Sequence, residues 1–342
     1  MSGTSSFSFD IHPAALLLAF ALSVVLHELG HLLPALWFGF HVSRGALGPI
    51  CVTRAHGPWK LQYSRSWWAA SVVAIPRDET AWRRRMLTVV AGGPIASLVT
   101  CFLAVYLRSA LAPTLSVAAF LSALAQLNLF LFLFGLIPNS RNASVRNDAR
   151  LFLTIWENGC EAEQIRLYHR VTQLQIAGVR PRGFPRDLIT QVAAAAGNRD
   201  LMLFSALTVF LWALDSGDVT VADTWDRRAN RLIEDYVLRL SDTVLCESAC
   251  FDIVHRNAPE SATQKLNAVH FASLPPWLQH RAKAALQITQ GAHQSAILNL
   301  RQAKASLPPH SSYREFEFKI LDLLEQRTAS ASPRIRVAQA AA

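Results

Sequence analysis

The sequence lacks the materials for a disulfide framework. Its five cysteines, Cys51, Cys101, Cys160, Cys246 and Cys250, are scattered and odd in number, which excludes the small disulfide-stapled class. Cys246 and Cys250 would share a helix face, but without a second pair they read as small buried thiols rather than a metal site. Basic residues are missing where a secretory signal needs them, since the first 13 positions hold no Lys or Arg. The apolar stretch that follows carries the strongest chemical motif in the chain, so it is expected to stay in the mature protein. A net charge of +9 is gathered neither into a basic tail nor into a stripe with interleaved aromatics, and a nucleic-acid partner is excluded on that ground.

What is present is unevenly spread. A chain of 342 residues has room for two domains, and nearly all its long apolar runs fall within residues 14–137. Residues 14–40 are apolar apart from Ser23 and a His-Glu-His cluster, and exceed the roughly 20 residues needed to cross a bilayer. Residues 87–107 form a second, uncharged run. Residues 116–138 form a third, with Gln126 and Asn128 as its strongest polar groups. Basic residues set the orientation. Arg44, Arg54, Lys60, Arg65, Arg77, Arg83, Arg84 and Arg85 lie between the first two runs, whereas only Arg108 lies between the second and third. The positive-inside rule puts residues 41–86 and everything after Pro138 in the cytoplasm, with residues 1–13 outside. A plasma membrane, of bacterial type, is the expected location.

The connection at 41–86 is too polar and too rich in Gly and Pro to be helical throughout. Gly48-Pro49 and Gly57-Pro58 are turn signals. Residues 50–53 and 59–75 are rich in β-branched and aromatic types and predict short strands. Trp67 and Trp68 suit either a membrane interface or a soluble hairpin with buried tryptophans.

His27 and His31 are four residues apart, so a helix stacks both rings on one face, where they can bind one metal ion. Glu28, beside the first of them, can reach a water at that ion. Zinc lowers the pKa of such a water toward about 7 and polarises a carbonyl, while a carboxylate takes the proton. This is the logic of His-Glu-x-x-His on a helix. The alternative is a pair of unrelated histidines, but three unpaired polar groups inside a lipid-spanning run would be costly. Gly30, between them and unfavourable for a helix, permits close approach of a neighbouring backbone. Catalytic zinc takes a third protein ligand. No acidic residue occurs between Glu79 and Asp148, and Asp148 lies just past the third run on the expected side. Asp148 is the candidate third ligand, with His41 and His56 as rivals and a helix cap or an ion pair with Arg150 as its plainer role.

In these motifs the chain resembles the site-2 protease family of intramembrane metalloproteases, over about residues 14–155. The similarity lies in His27-Glu28-Leu29-Gly30-His31, in Ala91-Gly92-Gly93-Pro94-Ile95-Ala96-Ser97, and in Leu136-Ile137-Pro138 followed by Asn147-Asp148-Ala149-Arg150. Ser97 and Gly135 stand where that family usually has Asn, and Ala149 where it has Gly. The resemblance implies that Asp148 completes a Zn²⁺ site, that Gly93, Pro94 and Ser97 contact substrate, and that the segment 41–86 presents an extended substrate by strand addition.

From about residue 151 the pattern turns to successive amphipathic helices broken by Gly and Pro. Residues 201–214 are strongly apolar but too short for a further span, and predict a buried core helix. Two helix–Gly–helix stretches, around Gly217 and Gly291, weakly resemble tetratricopeptide repeats. The last residues, from about Thr328, read as a disordered tail.

The expected architecture is an α-helical membrane protein. A metalloprotease domain at 14–155 has about three transmembrane helices and a short membrane-associated β region. A soluble all-α domain follows at 156–327, with a tail at 328–342. The expected function is intramembrane zinc endopeptidase, with a membrane-protein substrate in the lipid bilayer and a cytoplasmic protein partner for the helical domain. Two competitors remain: a catalytically silent scaffold recruiting a cytoplasmic partner, and a metal transporter or sensor.

Overall fold

The computed structural model of the chain describes residues 13–48, 50–53, 59–63, 70–111, 114–139, 147–234, 240–308 and 313–331. The expected outer segment before residue 13, the Gly57-Pro58 turn, His56 and the Trp67-Trp68 pair lie outside the described residues. The chain divides into two compact units, residues 1–162 and 163–342, a little later than the boundary expected at 155.

In the first unit, three helices are long and apolar enough to cross a membrane: α1 (Pro13–Trp37), α2 (Trp82–Ala110) and α3 (Leu115–Leu136). Their side chains are sorted opposite to those of a water-soluble bundle. Leu17, Leu33, Phe102, Leu115 and Phe130 point outward, while Ala19, Ser23, Ser97, Ala104, Ala123 and Asn128 lie inside. Lipid rewards that sorting, because acyl chains are as apolar as Leu, whereas small residues let helices approach and polar ones find partners between them. Asn128 Nδ2 donates to Ser23 Oγ at 2.8 Å and ties α3 to α1 within the spans. The helix ends differ from expectation by a few residues for local reasons. α1 stops at Trp37 because Gly39 turns the chain at φ 70° into a strand. α3 stops at Leu136 because Ile137 precedes a proline and is extended. α2 begins at Trp82, so Arg83 to Arg85 form its first turn.

Between α1 and α2 runs a four-stranded antiparallel sheet in the order β3-β2-β1-β4. Its strands are β1 (His41–Leu47), β2 (Ile50–Thr53), β3 (Lys60–Tyr63) and β4 (Ala70–Ile75). β1 is not among the expected strands, because its Ser43-Arg44-Gly45 centre lacks strand-like residues. Its pairing with β2 and β4 supplies what local preference does not. β4 is an edge strand, and β4 and β1 both pack on α1. The short helix α4 (Asp148–Glu157) completes this unit, packed on α2 and α3.

The second unit is built of helices. α5 (Cys160–Ile176) leads into it from the first unit. There follow α6 (Arg186–Ala194), α7 (Arg199–Ser216), α8 (Val219–Ile233), α9 (Ser241–Phe251), α10 (Pro259–Asn267), α11 (Pro276–Thr289), α12 (His293–Ser306) and α13 (Arg314–Ala331). The apolar run at 201–214 sits in α7, where Leu203, Ala206, Phe210 and Ala213 are core. α7–α8 and α11–α12 are helical pairs that turn at Gly217 (φ 85°) and Gly291 (φ 72°). There the left-handed conformation ends one helix so the next can begin. The core also holds a charge: Arg281 is fully buried between Glu247 and Glu317 and pairs with both. α13 continues to Ala331, past the expected start of a tail at Thr328. Thr328 is buried, with its hydroxyl donating to Leu324 O.

Candidate metal centre

The centre starts from a helix crossing. At Gly30 of α1 a Cβ would lie 2.3 Å from Gly92 O, and at Gly92 of α2 a Cβ would lie 2.0 Å from Gly30 O. Only two glycines allow backbones that close. This contact sets the histidine face of α1 against α2. One residue on, Gly93 leaves open the space into which the imidazoles point. A Cβ there would stand 2.2 Å from His31 Nε2 and 2.8 Å from His27 Nε2.

Both rings are held from behind. His31 Nδ1 donates to Val89 O at 2.8 Å, which leaves Nε2 of the neutral ring with its lone pair inward. His27 Nδ1 lies 2.9 Å from Ser97 Oγ. In front of them stands Asp148, the first residue of α4, with Oδ2 3.1 Å from His27 Nε2 and 3.4 Å from His31 Nε2. Burial tends to raise the Asp148 pKa, but the two imidazoles outweigh it and hold the carboxyl below the usual carboxylate range. It is therefore an anion at neutral pH, as a ligand must be.

These atoms suit a metal ion. His27 Nε2 and His31 Nε2 both face Asp148 Oδ2, and two imidazole nitrogens closing on one carboxylate oxygen are the donor set of a cation site. Tetrahedral zinc with bonds of 2.0–2.1 Å separates its ligand atoms by about 3.3 Å, close to the spacings of 3.1 and 3.4 Å seen here. His27, His31 and Asp148 each offer one atom within 4.8 Å of the others, and they are the only such group among the described residues. His41, the rival ligand on β1, is not in it. Glu28 lies beside the group. Its carboxylate lies close to the Val72 backbone of β4, and Oε2 is buried with no partner among the described residues.

α4 is tied down at both ends. Asn147 caps its start, accepting from Arg150 N at 3.1 Å, and Asn147 Nδ2 donates to Ile137 O at 2.6 Å. Arg83 of α2 donates to Ile155 O at 3.2 Å and to Trp156 O at its far end. Of the residues expected to touch substrate, Gly93 and Pro94 are buried beside the histidines. Ser97 is fully buried, with its hydroxyl at His27. The sequence pointed to the residue types at the centre but not to the partners behind them: Val89 acts through a backbone atom, which leaves no trace in a motif.

The decisive comparison concerns the segment that holds the two histidines. Residues 15–113 match peptidase family M50. The M50 match spans α1, the sheet and α2, and so takes in His27, Glu28, His31, Gly93 and Ser97 but stops before Asp148. It agrees with the site-2 protease resemblance read from the motifs and supports a protease of the metallo type in a membrane. It lends no support to the tetratricopeptide resemblance of the helical region. Comparison with curated proteins and with solved structures gives no match.

Proposed function

We propose that the chain is an intramembrane zinc endopeptidase that hydrolyses a peptide bond in or near a transmembrane segment of a membrane-protein substrate. The observation that carries this reading is the convergence of His27 Nε2 and His31 Nε2 on one Asp148 oxygen, beside a carboxylate with an unpartnered oxygen. His27, His31 and Asp148 would hold the ion, and Zn²⁺ bound there would polarise the scissile carbonyl and acidify a water. Glu28 acts as general base through Oε2: it takes one proton as the water oxygen bonds to the carbonyl carbon. It then gives that proton to the amide nitrogen as the C–N bond breaks, leaving a carboxylic acid, which keeps the water's second proton, and an amine.

The substrate must arrive unwound, because a helix hides its carbonyls in its own hydrogen bonds. The edge strand β4, which already reaches Glu28 at Val72, offers the substrate a backbone to pair with. Gly93 and Pro94 line the site beside the histidines, and Ser97 steadies His27 from behind. The helical second unit serves to engage a cytoplasmic protein partner. The test pairs metal content with cleavage of a panel of single-span peptides, using wild type and Glu28→Gln. About one zinc per chain in both proteins, with cleavage only in wild type, is the expected result. Cleavage by Glu28→Gln at the wild-type rate would remove Glu28 from its role.

A further inference from the structure

Helix α4 exposes large apolar side chains while it buries an arginine and a threonine. Its buried positions are Arg150, only 7% exposed, Thr154 and the apolar Ile155. Its outward edge is Leu153 at 36% and Trp156 at 57% exposed. Phe152 stacks on Trp156, with ring centroids 6.1 Å apart. Water outside that edge would leave Leu153 and Trp156 exposed, with Phe152 half-buried beside them, while an arginine shares the protein side with Ile155, an arrangement water does not favour.

The helix is also placed by its ends. Its cap, Asn147, is hydrogen-bonded to Ile137, the residue that closes α3. Its last carbonyls are held by Arg83, in the first turn of α2. Both contacts are to the termini of spanning helices, so α4 runs along the boundary where those spans leave the membrane. Arg83 stands over the Trp156 ring with its guanidinium 5.7 Å from the centroid, and Arg84 beside it is exposed. Trp and Arg together are the residues of a membrane–water interface, one amphipathic and the other able to meet lipid phosphate.

We propose that the outer edge of α4, formed by Phe152, Leu153 and Trp156, is seated in the interfacial layer of a phospholipid bilayer, and that this seating holds Asp148 within reach of His27 and His31. The metal site would then depend on the lipid around it, since one of its three ligands sits on a helix held down partly by the bilayer. This rests on the spans crossing a membrane and does not require that the protein cleave anything.

The experiment uses the full chain reconstituted in vesicles of phosphatidylethanolamine and phosphatidylglycerol with a trace of phospholipid carrying a photoactivatable group near its headgroup. Lipid adducts are mapped by mass spectrometry after irradiation. Adducts within residues 152–156, alongside those on α2 and α3, are expected. Adducts on the spans with none on α4 would overturn the proposal and mean that protein covers this edge. The link to the metal is read in the same vesicles by chelator competition. Leu153→Gln combined with Trp156→Gln should lower apparent zinc affinity about tenfold, while Trp156→Phe, which keeps an aromatic edge, should retain the wild-type value. An unchanged affinity in the double variant would break the link between lipid seating and Asp148.

Discussion

Replacing Gly93 by alanine adds a single carbon at the most crowded point of the centre. That carbon would lie 2.2 Å from His31 Nε2, 2.5 Å from His31 Cε1 and 2.8 Å from His27 Nε2. Ordinary contacts are about 3.5–4.0 Å, so the His31 ring must retreat by more than about 1 Å. It cannot do so and keep its hydrogen bond to Val89 O at 2.8 Å. Zinc tolerates ligand displacements of about 0.2 Å, and a misplacement near 1 Å costs on the order of 100-fold in rate. Gly93→Ala should therefore lose zinc at least about 100-fold more readily in chelator competition, equivalent to about 2.8 kcal/mol, with cleavage lost in parallel. Helix content, followed by circular dichroism, should not change. Gly135→Ala is the matched control, because its new carbon meets only Pro94 Cγ, at 3.5 Å. Wild-type zinc affinity in Gly93→Ala would refute the placement of the two histidines against α2.

Ser97→Ala removes the partner of His27 Nδ1 and should weaken zinc binding by about tenfold or more. Equilibrium dialysis against a graded chelator checks this. In the second unit, burial pushes the His169 imidazole down to about 4, so the folded state disfavours the protonated ring. The stability this confers is complete above the unfolded value near pH 6.5. It is lost as pH falls toward 4, at about 1.4 kcal/mol per pH unit. Thermal melts across that window should be steeper for wild type than for His169→Gln, and parallel curves would count against it. Arg281→Met would leave Glu247 and Glu317 buried without their shared cation. It should cost about 3–5 kcal/mol, measured as a shift in the denaturant midpoint of the helical unit.

The spans were legible because their signal is length and apolarity, which lipid imposes directly. The His-Glu-x-x-His face was legible because a helix fixes the geometry of positions four apart. Asp148 stood out through an absence: lipid explains why the two later spans contain no acid, and the first acid after them begins the helix that faces the histidines. Ser97 shows where sequence reading stops. Family resemblance pointed to substrate, but its direction depends on how α1 and α2 cross at Gly30 and Gly92, and that crossing puts its hydroxyl on His27. The exposed apolar edge of α4 was hidden for the same reason. Its sequence alternates polar and apolar like any amphipathic helix, and only packing reveals which face turns inward. β1 was missed because its centre lacks strand-forming residues, and its two neighbours make it a strand.

The most direct measurement is X-ray absorption at the zinc edge on the purified full chain, wild type beside Asp148→Asn. About one zinc per wild-type chain is expected, with two imidazole nitrogens and oxygen ligands at about 2.0–2.1 Å. Asp148→Asn should show reduced zinc occupancy. A wild-type protein without zinc, or with sulfur ligands near 2.3 Å, would contradict a centre built from His27, His31 and Asp148.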